Sequence, residues 1–321
     1  MPTIAQTPLP SFEVRLRAPD IRRWLDGNTG IRGFTSRDSG VAGPHVGLLA
    51  LTHGNEIAGA IVLERLLEQG VEPKRGRLTF GFINIAAYAR FDPRQPTASR
   101  FIDEDLNRLW DRSVLDSARR SVELDRAREI RPLIDRLDVL FDLHSMLWPS
   151  EPLILCGTST KGRRLALGAG TPRLVVADRG HASGRRMIDY ARFASEASPC
   201  AAVLLEAGQH WEQATVDMML GSVAGLLHHL DLIRPHPLLA PRARHQQRFA
   251  EVTMAVTAAT SSFGFVQPYR GGDVIPRRNT LIAMDGETEI RTPHDDCLLI
   301  MPSLRPSRGH TAVRLARFVE A

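Results

Sequence analysis

A chain of 321 residues, 43% hydrophobic and 24% charged, can bury a substantial core and has nothing of the composition of a disordered protein. Its formal charge of +5 rests on scattered arginines, with lysine only at Lys74 and Lys161, so the clustered basic stripe of a nucleic-acid binder is missing, although a modest positive field suits a small anionic substrate. No stretch approaches the roughly 18 apolar residues of a membrane span, and Glu13, Arg15 and Arg17 interrupt any early apolar run, so neither a membrane segment nor a signal peptide is expected.

Residues 1–40 read as a polar lead-in with a short helix at 20–26. From His45 the pattern becomes strand, loop, helix, repeated, which predicts a mostly parallel sheet with helices on its faces. The run from Val46 to Leu51 is a buried strand that stops at Thr52, and His53-Gly54-Asn55-Glu56 follows at once, before a helix over 57–69. Residues 78–85 form a second core strand, 86–100 a loop rich in proline, and 121–137 a charged amphipathic helix. The strand 139–144 ends in Asp142-Leu143-His144. Further apolar runs at 153–156 and 174–177 flank a helix at 161–168. The strand 201–205 terminates in Glu206, and a helix covers 214–232. Three cysteines, Cys156, Cys200 and Cys297, are too sparse and too far apart for a disulfide framework or a C-x-x-C motif, and suggest reduced thiols in a cytoplasmic protein.

After Arg234-Pro235-His236-Pro237 the pieces become short, β-rich and turn-punctuated, at 251–258, 264–267, 280–284 and 297–301, with an Asp285-Gly286 turn. The division expected is a catalytic α/β domain over 1–240 and a β-rich domain over 241–321.

The chemistry collects where strands end. Open α/β sheets place their ligand crevice at the carboxyl ends of the strands, so His53, Glu56, His144 and Glu206 are expected to converge there. Zinc takes imidazole nitrogen and carboxylate oxygen, and a catalytic site keeps three protein ligands and one open position. His53, Glu56 and His144 supply such a set, able to lower the pKa of a bound water toward neutrality. Asp142, two residues before His144, is placed to orient a ligating imidazole or to be a plain strand-end carboxylate. Glu206 is a costly charge at the end of an apolar strand unless chemistry or an ion pair retains it, and a general base fits that place. The segment 99–108 adds Arg100, Asn107 and Arg108, whose forks suit a carboxylate or a polarised carbonyl. His210, four residues after Glu206, is a further candidate for the pocket; His181, His228, His229, His245 and His294 read as surface or core.

Taken together, His53-Gly-Asn-Glu56, Arg100-Phe-Ile-Asp-Glu-Asp-Leu-Asn107-Arg108, Asp142-Leu-His144 and Glu206-Ala-Gly resemble the succinylglutamate desuccinylase/aspartoacylase family of the zinc carboxypeptidase clan, in order and approximate spacing across residues 45–215. The resemblance implies a carboxypeptidase-like mixed sheet with a smaller C-terminal β domain over the active-site entrance. It also implies one zinc per chain on His53, Glu56 and His144, with Glu206 as proton shuttle, Arg100 on the scissile carbonyl, and Asn107 and Arg108 on the carboxylate of the amino-acid part. Further substrate-contacting arginines and tyrosines are expected between the third ligand and the base, where Arg185, Arg186, Tyr190 and Arg192 are available. Near the C-terminus the family's tyrosine has no counterpart, and Arg305, Arg308 and His310 stand instead. The bulky Met146-Leu147-Trp148-Pro149 reads either as a wall for a larger acyl group or as core.

The function expected is hydrolysis of an N-acyl amino acid. A zinc carboxypeptidase acting on a short peptide or cell-wall fragment, and a non-catalytic binding protein on the same fold, are the alternatives. Oligomeric state is left open, a homo-oligomer among the options.

Overall fold

The computed structural model describes residues 13–181, 183–241 and 246–320; His245 and the first twelve residues of the lead-in lie outside them. The chain order is β1 (Phe34–Asp38), β2 (His45–Ala50), α1 (Ile57–Glu68), β3 (Arg77–Phe82), α2 (Ile85–Tyr88), α3 (Arg112–Leu115), α4 (Val122–Ile134), β4 (Val139–Met146), β5 (Leu153–Leu155), α5 (Thr160–Ala169), β6 (Leu174–Ala177), β7 (Ala201–Gln209) and α6 (Gln213–His229). The later part holds β8 (Arg248–Thr257), β9 (Phe263–Phe265), β10 (Val274–Ile275), β11 (Leu281–Asp285), β12 (Thr288–Arg291), β13 (Cys297–Ile300) and β14 (Thr311–Val319).

Eleven strands form one sheet in the order β1-β3-β2-β4-β7-β5-β6-β8-β14-β13-β10, and β12-β11-β9 form a small antiparallel sheet. The centre is parallel, with β2 between β3 and β4 and β4 against β7. β5 is the exception, antiparallel to β7 and parallel to β6. Strands buried on both faces need continuous apolar runs rather than alternation, and every residue of β4 is buried. This mixed, mostly parallel sheet flanked by helices is the expected fold class.

The helices are placed by local chemistry. Ser121 caps α4 by accepting from the Leu124 N–H, and Ser159 caps α5 by accepting from the Gly162 N–H. Helix α1 lies hard against the sheet at Gly59, where a Cβ would stand 2.8 Å from the Ala50 Cβ and 3.2 Å from the Leu143 carbonyl oxygen. That close approach holds the start of α1, and Glu56 with it, at the ends of β2 and β4. One apolar cluster packs α1 and α6 on one face of the sheet; a second packs α4 and the segment around Met187–Tyr190 on the other.

Sequence and structure differ in several places. The lead-in contains a strand, β1, which pairs antiparallel with β3. The expected strand 78–85 stops at Phe82, because Asn84 caps the short α2 by accepting from the Ala87 N–H. The C-terminal segment continues the sheet: β8 adds parallel to β6, β14 and β13 follow, and Ala250, Leu298, Ile300 and Ala316 sit in the same apolar cluster as α4. A third cluster, centred on Phe263, Phe265 and Ile282, belongs to that segment alone. No helix among the described residues is long and apolar enough to cross a membrane.

Candidate active site

Past β2 the backbone turns sharply. Leu51 has φ +61, and the chain is pinned there by the Ile83 N–H to the Ala50 carbonyl and the Asn84 N–H to the Leu51 carbonyl. A residue other than glycine held in the left-handed region marks a backbone overdetermined by its surroundings. Gly54 then passes so close to the neighbouring segment that a Cβ would lie 2.5 Å from backbone atoms of Ala87, Tyr88 and Ser99. Its N–H donates to the Arg100 carbonyl, and the Trp211 indole N–H donates to the Asn55 carbonyl. The motif His53-Gly54-Asn55-Glu56 is therefore fixed from three sides before it meets any ligand.

His53, Glu56 and His144 come together as expected, buried, with one ligand atom of each within 4.8 Å of the others. Glu56 Oε1 lies 2.7 Å from His53 Nδ1, and Glu56 Oε2 lies 3.0 Å from His144 Nδ1. Both imidazoles thus turn Nδ1 toward one point. On the opposite side, His144 Nε2 faces a carboxylate, and His53 Nε2 faces both a carboxylate and the Arg100 guanidinium, the latter at 2.9 Å. His144 Nε2 is 2.8 Å from Asp142 Oδ2, and a carboxylate only accepts, so Nε2 donates there, while Nδ1, facing Glu56 Oε2, is the nitrogen that would give up its proton to a metal. Thr52 Oγ1 donates to the other oxygen of Asp142 at 2.9 Å. His53 Nε2 is 2.9 Å from Asp105 Oδ1, which also accepts the Asn107 N–H. Of the two places open to it, Asp142 takes the one behind the His144 imidazole. Asp105 does the same for His53, and sequence reading passed over it because it lies inside a charged loop.

This donor set fits a divalent metal: two imidazoles whose Nδ1 atoms converge, a carboxylate between them, and an outer carboxylate behind each ring. The electrostatics agree. Burial works against charge on both Glu56 and His144, yet His53 and His144 hold the Glu56 carboxyl well below its usual range, and Asp142 and Glu56 raise the His144 imidazole well above its own. A metal ion and a proton compete for such a place.

Glu206 follows His144 across the β4–β7 ladder, in register with it. Its Oε2 is buried with no hydrogen-bond partner among the described residues. Burial pushes its carboxyl up to about 8, with Glu56 adding to the rise and His144 and Arg100 opposing it. Arg100 reaches the same centre, 3.4 Å from Glu56 Oε1 and 3.2 Å from Asp105 Oδ2. Its loop is anchored by Glu123 at the start of α4, whose buried carboxylate accepts the N–H groups of Ile102, Asp103 and Glu104 and the Asn84 amide. Nothing in the sequence distinguishes Glu123 from other acids in a helix's first turn.

His53, Glu56, Arg100, His144 and Glu206 line a cavity of about 180 Å³ together with Asn107, Arg108, Ser145, His181, Arg186 and His210, and with Met146, Leu147, Trp148, Ser150, Leu155, Leu204, Met301 and Pro302. Asn107 uses Oδ1 to accept the Met187 N–H, which leaves its amide donors for the cavity. Arg108 donates to the Asn107 carbonyl; burial and the nearby Arg100, Arg314 and Arg186 push it down to about 10, against the pull of Asp105, so it is still a cation at neutral pH. His210 does reach the cavity, with Nδ1 2.8 Å from Ser145 Oγ, while Ser145 gives its N–H to Glu56 Oε2. Met301 and Pro302 come from the C-terminal segment.

The other expected substrate contacts divide. Arg186 reaches the cavity wall. Arg185 lies outside the lining: its side chain pairs with Asp111 at 2.9 Å. Arg192 is drawn away to the Asp135 carbonyl and the Cys200 thiol, and Tyr190 accepts from Arg131. His310 is exposed on the turn before β14, its carbonyl accepting from Ala258 N–H, and is likewise outside the lining. In the C-terminal stretch the arginine that approaches is Arg314 on β14, bonded to Asp178 and His181 behind the cavity wall. No motif announced it, since Arg314 interrupts a short apolar strand in a segment with many other arginines.

An open sheet with its polar groups gathered at the carboxyl ends of central strands defines the class, an α/β protein with its ligand crevice where the strand order reverses. The particular family follows from the sequence: residues 42–230 match the succinylglutamate desuccinylase/aspartoacylase catalytic domain, and the chain belongs to that family. Rat aspartoacylase is 33% identical over 103 residues, 29% of this chain and 31% of the relative, and mouse aspartoacylase is 32% identical over the same length. The chain thus spans about a third of the length of the curated relatives it matches. Succinylglutamate desuccinylase from Vibrio cholerae superposes with a TM-score of 0.69 at 16% identity over 90% of this chain and 86% of the other. A succinylglutamate desuccinylase/aspartoacylase from Rhodobacter sphaeroides gives 0.64 at 18% identity over 90% and 89%, and the ectoine utilization protein of Ruegeria pomeroyi 0.61 at 16% over 88% of each. These three show a shared fold.

Proposed function

We propose that this protein is a zinc-dependent amidohydrolase that cleaves a small anionic N-acyl amino acid into a carboxylate and a free amino acid. The observation that carries the reading is the pairing of a buried His-Glu-His cluster with a partnerless glutamate oxygen in one cavity. His53, Glu56 and His144 would hold one zinc ion, which when bound supplies Lewis acidity toward a water and the scissile carbonyl. Glu206 takes the proton from the attacking water as the new C–O bond forms, then passes it to the amine nitrogen as the C–N bond breaks. Arg100 donates to the carbonyl oxygen as negative charge develops there. Asn107 and Arg108 grip the α-carboxylate, so that the amide is held in place rather than merely bound.

The small cavity favours an acyl amino acid over a peptide, since pockets for larger ligands run to about 300–1,000 Å³. All three cysteines are unpaired and buried, which suits the reducing cytoplasm. The test is metal content and turnover in parallel. Glu206→Gln should keep stoichiometric zinc and lose hydrolysis of N-acyl amino acids, whereas His144→Ala should lose the metal. Near-normal kcat in zinc-loaded Glu206→Gln would remove the proton shuttle from the mechanism.

A further inference from the structure

Arg186 is the third cation of the lining, and its charge is already matched: four of its five N–H groups are bonded to Asp178 and Asp189. Its Nε donates to Asp189 Oδ2 at 2.6 Å. One terminal nitrogen donates to Asp178 Oδ2 at 3.0 Å, and the other to the Asp178 carbonyl and Asp189 Oδ1, each at 3.0 Å. The side chain is 1% exposed. Behind it, Arg314 donates to Asp178 Oδ2 at 2.8 Å and to His181. Two arginines and two aspartates close on one another with no net charge. Burial, with Arg314, Arg108 and Arg186 all close by, holds His181 far below its usual pKa, so this wall residue is a neutral imidazole. The remaining cations of the lining, Arg100 and Arg108, are those needed for the carbonyl and for one carboxylate.

Apart from Ser145, Ser150 and His210, the rest of the lining is apolar. Leu155 and Leu204 face each other across the β5–β7 ladder, two residues along β7 from Glu206 and so on its side of the sheet. Met146, Leu147 and Trp148 run on from His144, and Met301 is held at φ +46 where β13 ends, which turns it and Pro302 onto the cavity. A carboxylate placed among these groups would lose its hydration without gaining a counter-ion.

We infer that the substrate has a single carboxylate, held by Asn107 and Arg108, and that its acyl group is short and apolar, seated against Met146, Trp148, Leu155, Leu204 and Met301. The inference rests on the amidohydrolase reading for the direction in which the amide lies. It excludes a succinyl group at the acyl end and an acidic side chain on the amino acid.

The test compares N-(4-methylpentanoyl)glycine with N-succinylglycine on zinc-loaded protein. These differ only in an isopropyl group against a carboxylate of similar shape. N-acetylglycine and N-acetylleucine complete the set. Each buried methylene is worth about fourfold, so the branched acyl compound should exceed N-acetylglycine in kcat/KM on the order of a hundredfold and exceed the succinyl compound by more. Met301→Lys should narrow the gap to the succinyl compound. Equal or faster cleavage of N-succinylglycine overturns the inference, and so does N-acetylleucine outrunning the branched acyl compound. If neither glycine conjugate is hydrolysed, calorimetric binding separates the claims: preference for the branched acyl group with no turnover removes the hydrolase reading alone, while equal or reversed binding removes the apolar acyl pocket.

Discussion

Replacing Asp142 by asparagine tests how the site holds its metal. The substitution keeps size and burial but changes the hydrogen-bond inventory. In the protein, Asp142 accepts twice, from His144 Nε2–H at 2.8 Å and from Thr52 Oγ1–H at 2.9 Å, and it is wholly buried. Asparagine offers one accepting oxygen and an NH₂ that only donates. If the oxygen stays with Thr52, the NH₂ meets His144 Nε2, which must then accept; the imidazole proton moves to Nδ1, the atom facing Glu56. If the oxygen turns to His144, the NH₂ faces Thr52 and the anionic charge beside the imidazole is still gone. Loss of an outer carboxylate of this kind typically costs 10- to 100-fold in metal affinity, about 1.4–2.7 kcal/mol. Asp142→Asn should sit at the upper end because no water reaches the pair. Asp105→Asn should sit lower, since Asp105 is 18% exposed and Arg100 shares it. Competition of each variant against a chromophoric chelator at fixed pH gives both constants. Unchanged zinc affinity in a folded Asp142→Asn protein would refute the claim that the carboxylate fixes the ligating tautomer.

Arg108→Ala should raise KM for an N-acyl amino acid roughly 10- to 100-fold, the usual worth of a charge-assisted hydrogen bond, and removing the α-carboxylate from the substrate should abolish the difference between the two proteins. In protein stripped of metal by a chelator, the Glu206 carboxyl at about 8 against an ordinary value of 4.5 means that the folded chain keeps a proton the unfolded chain has released. Stability from this group is therefore present below pH 4.5 and lost as pH rises through 8. The unfolding free energy of wild type should fall relative to Glu206→Gln across that window, by on the order of 5 kcal/mol in all; parallel curves would place the Glu206 carboxyl in the ordinary range. Gly59→Ala should force α1 away from Ala50 and Leu143 and destabilise the fold by about 1–3 kcal/mol, measured by thermal or denaturant unfolding.

Much of this was legible in the sequence because parallel strands buried on both faces leave long apolar runs, and functional groups at their ends interrupt those runs abruptly. His53, His144 and Glu206 stand out for that reason, since each lies at or just past the end of a strand's apolar run, and Glu56 stands out by its spacing of three from His53. What stayed hidden depends on long-range partners. Asp105 and Glu123 are ordinary acids until the fold brings His53 to one and the backbone of 102–104 to the other. Among arginines the sequence could not rank candidates, because ion pairing decides which are free: Arg192 and Arg185 are spent on Cys200 and Asp111. β1 and β14 escaped notice for a related reason, since edge and arginine-bearing strands lack the apolar continuity of the centre.

The continuation of the sheet from β6 into β8 bears on where this protein can be cut. The family's catalytic match ends at residue 230, yet β6, a short strand with three of its four residues fully buried, is paired on its outer side by residues 248–251. A fragment ending near 240 would present Leu174, Val175 and Val176 as a bare, uncharged edge, the kind of template that recruits a second chain. The boundary between the two segments is thus a boundary in sequence and not in hydrogen bonding. Expressed alone, the catalytic stretch would be expected to aggregate through that edge, and strand pairings that close over about 70 residues of chain make a stretch translated later a condition for the earlier one to remain soluble.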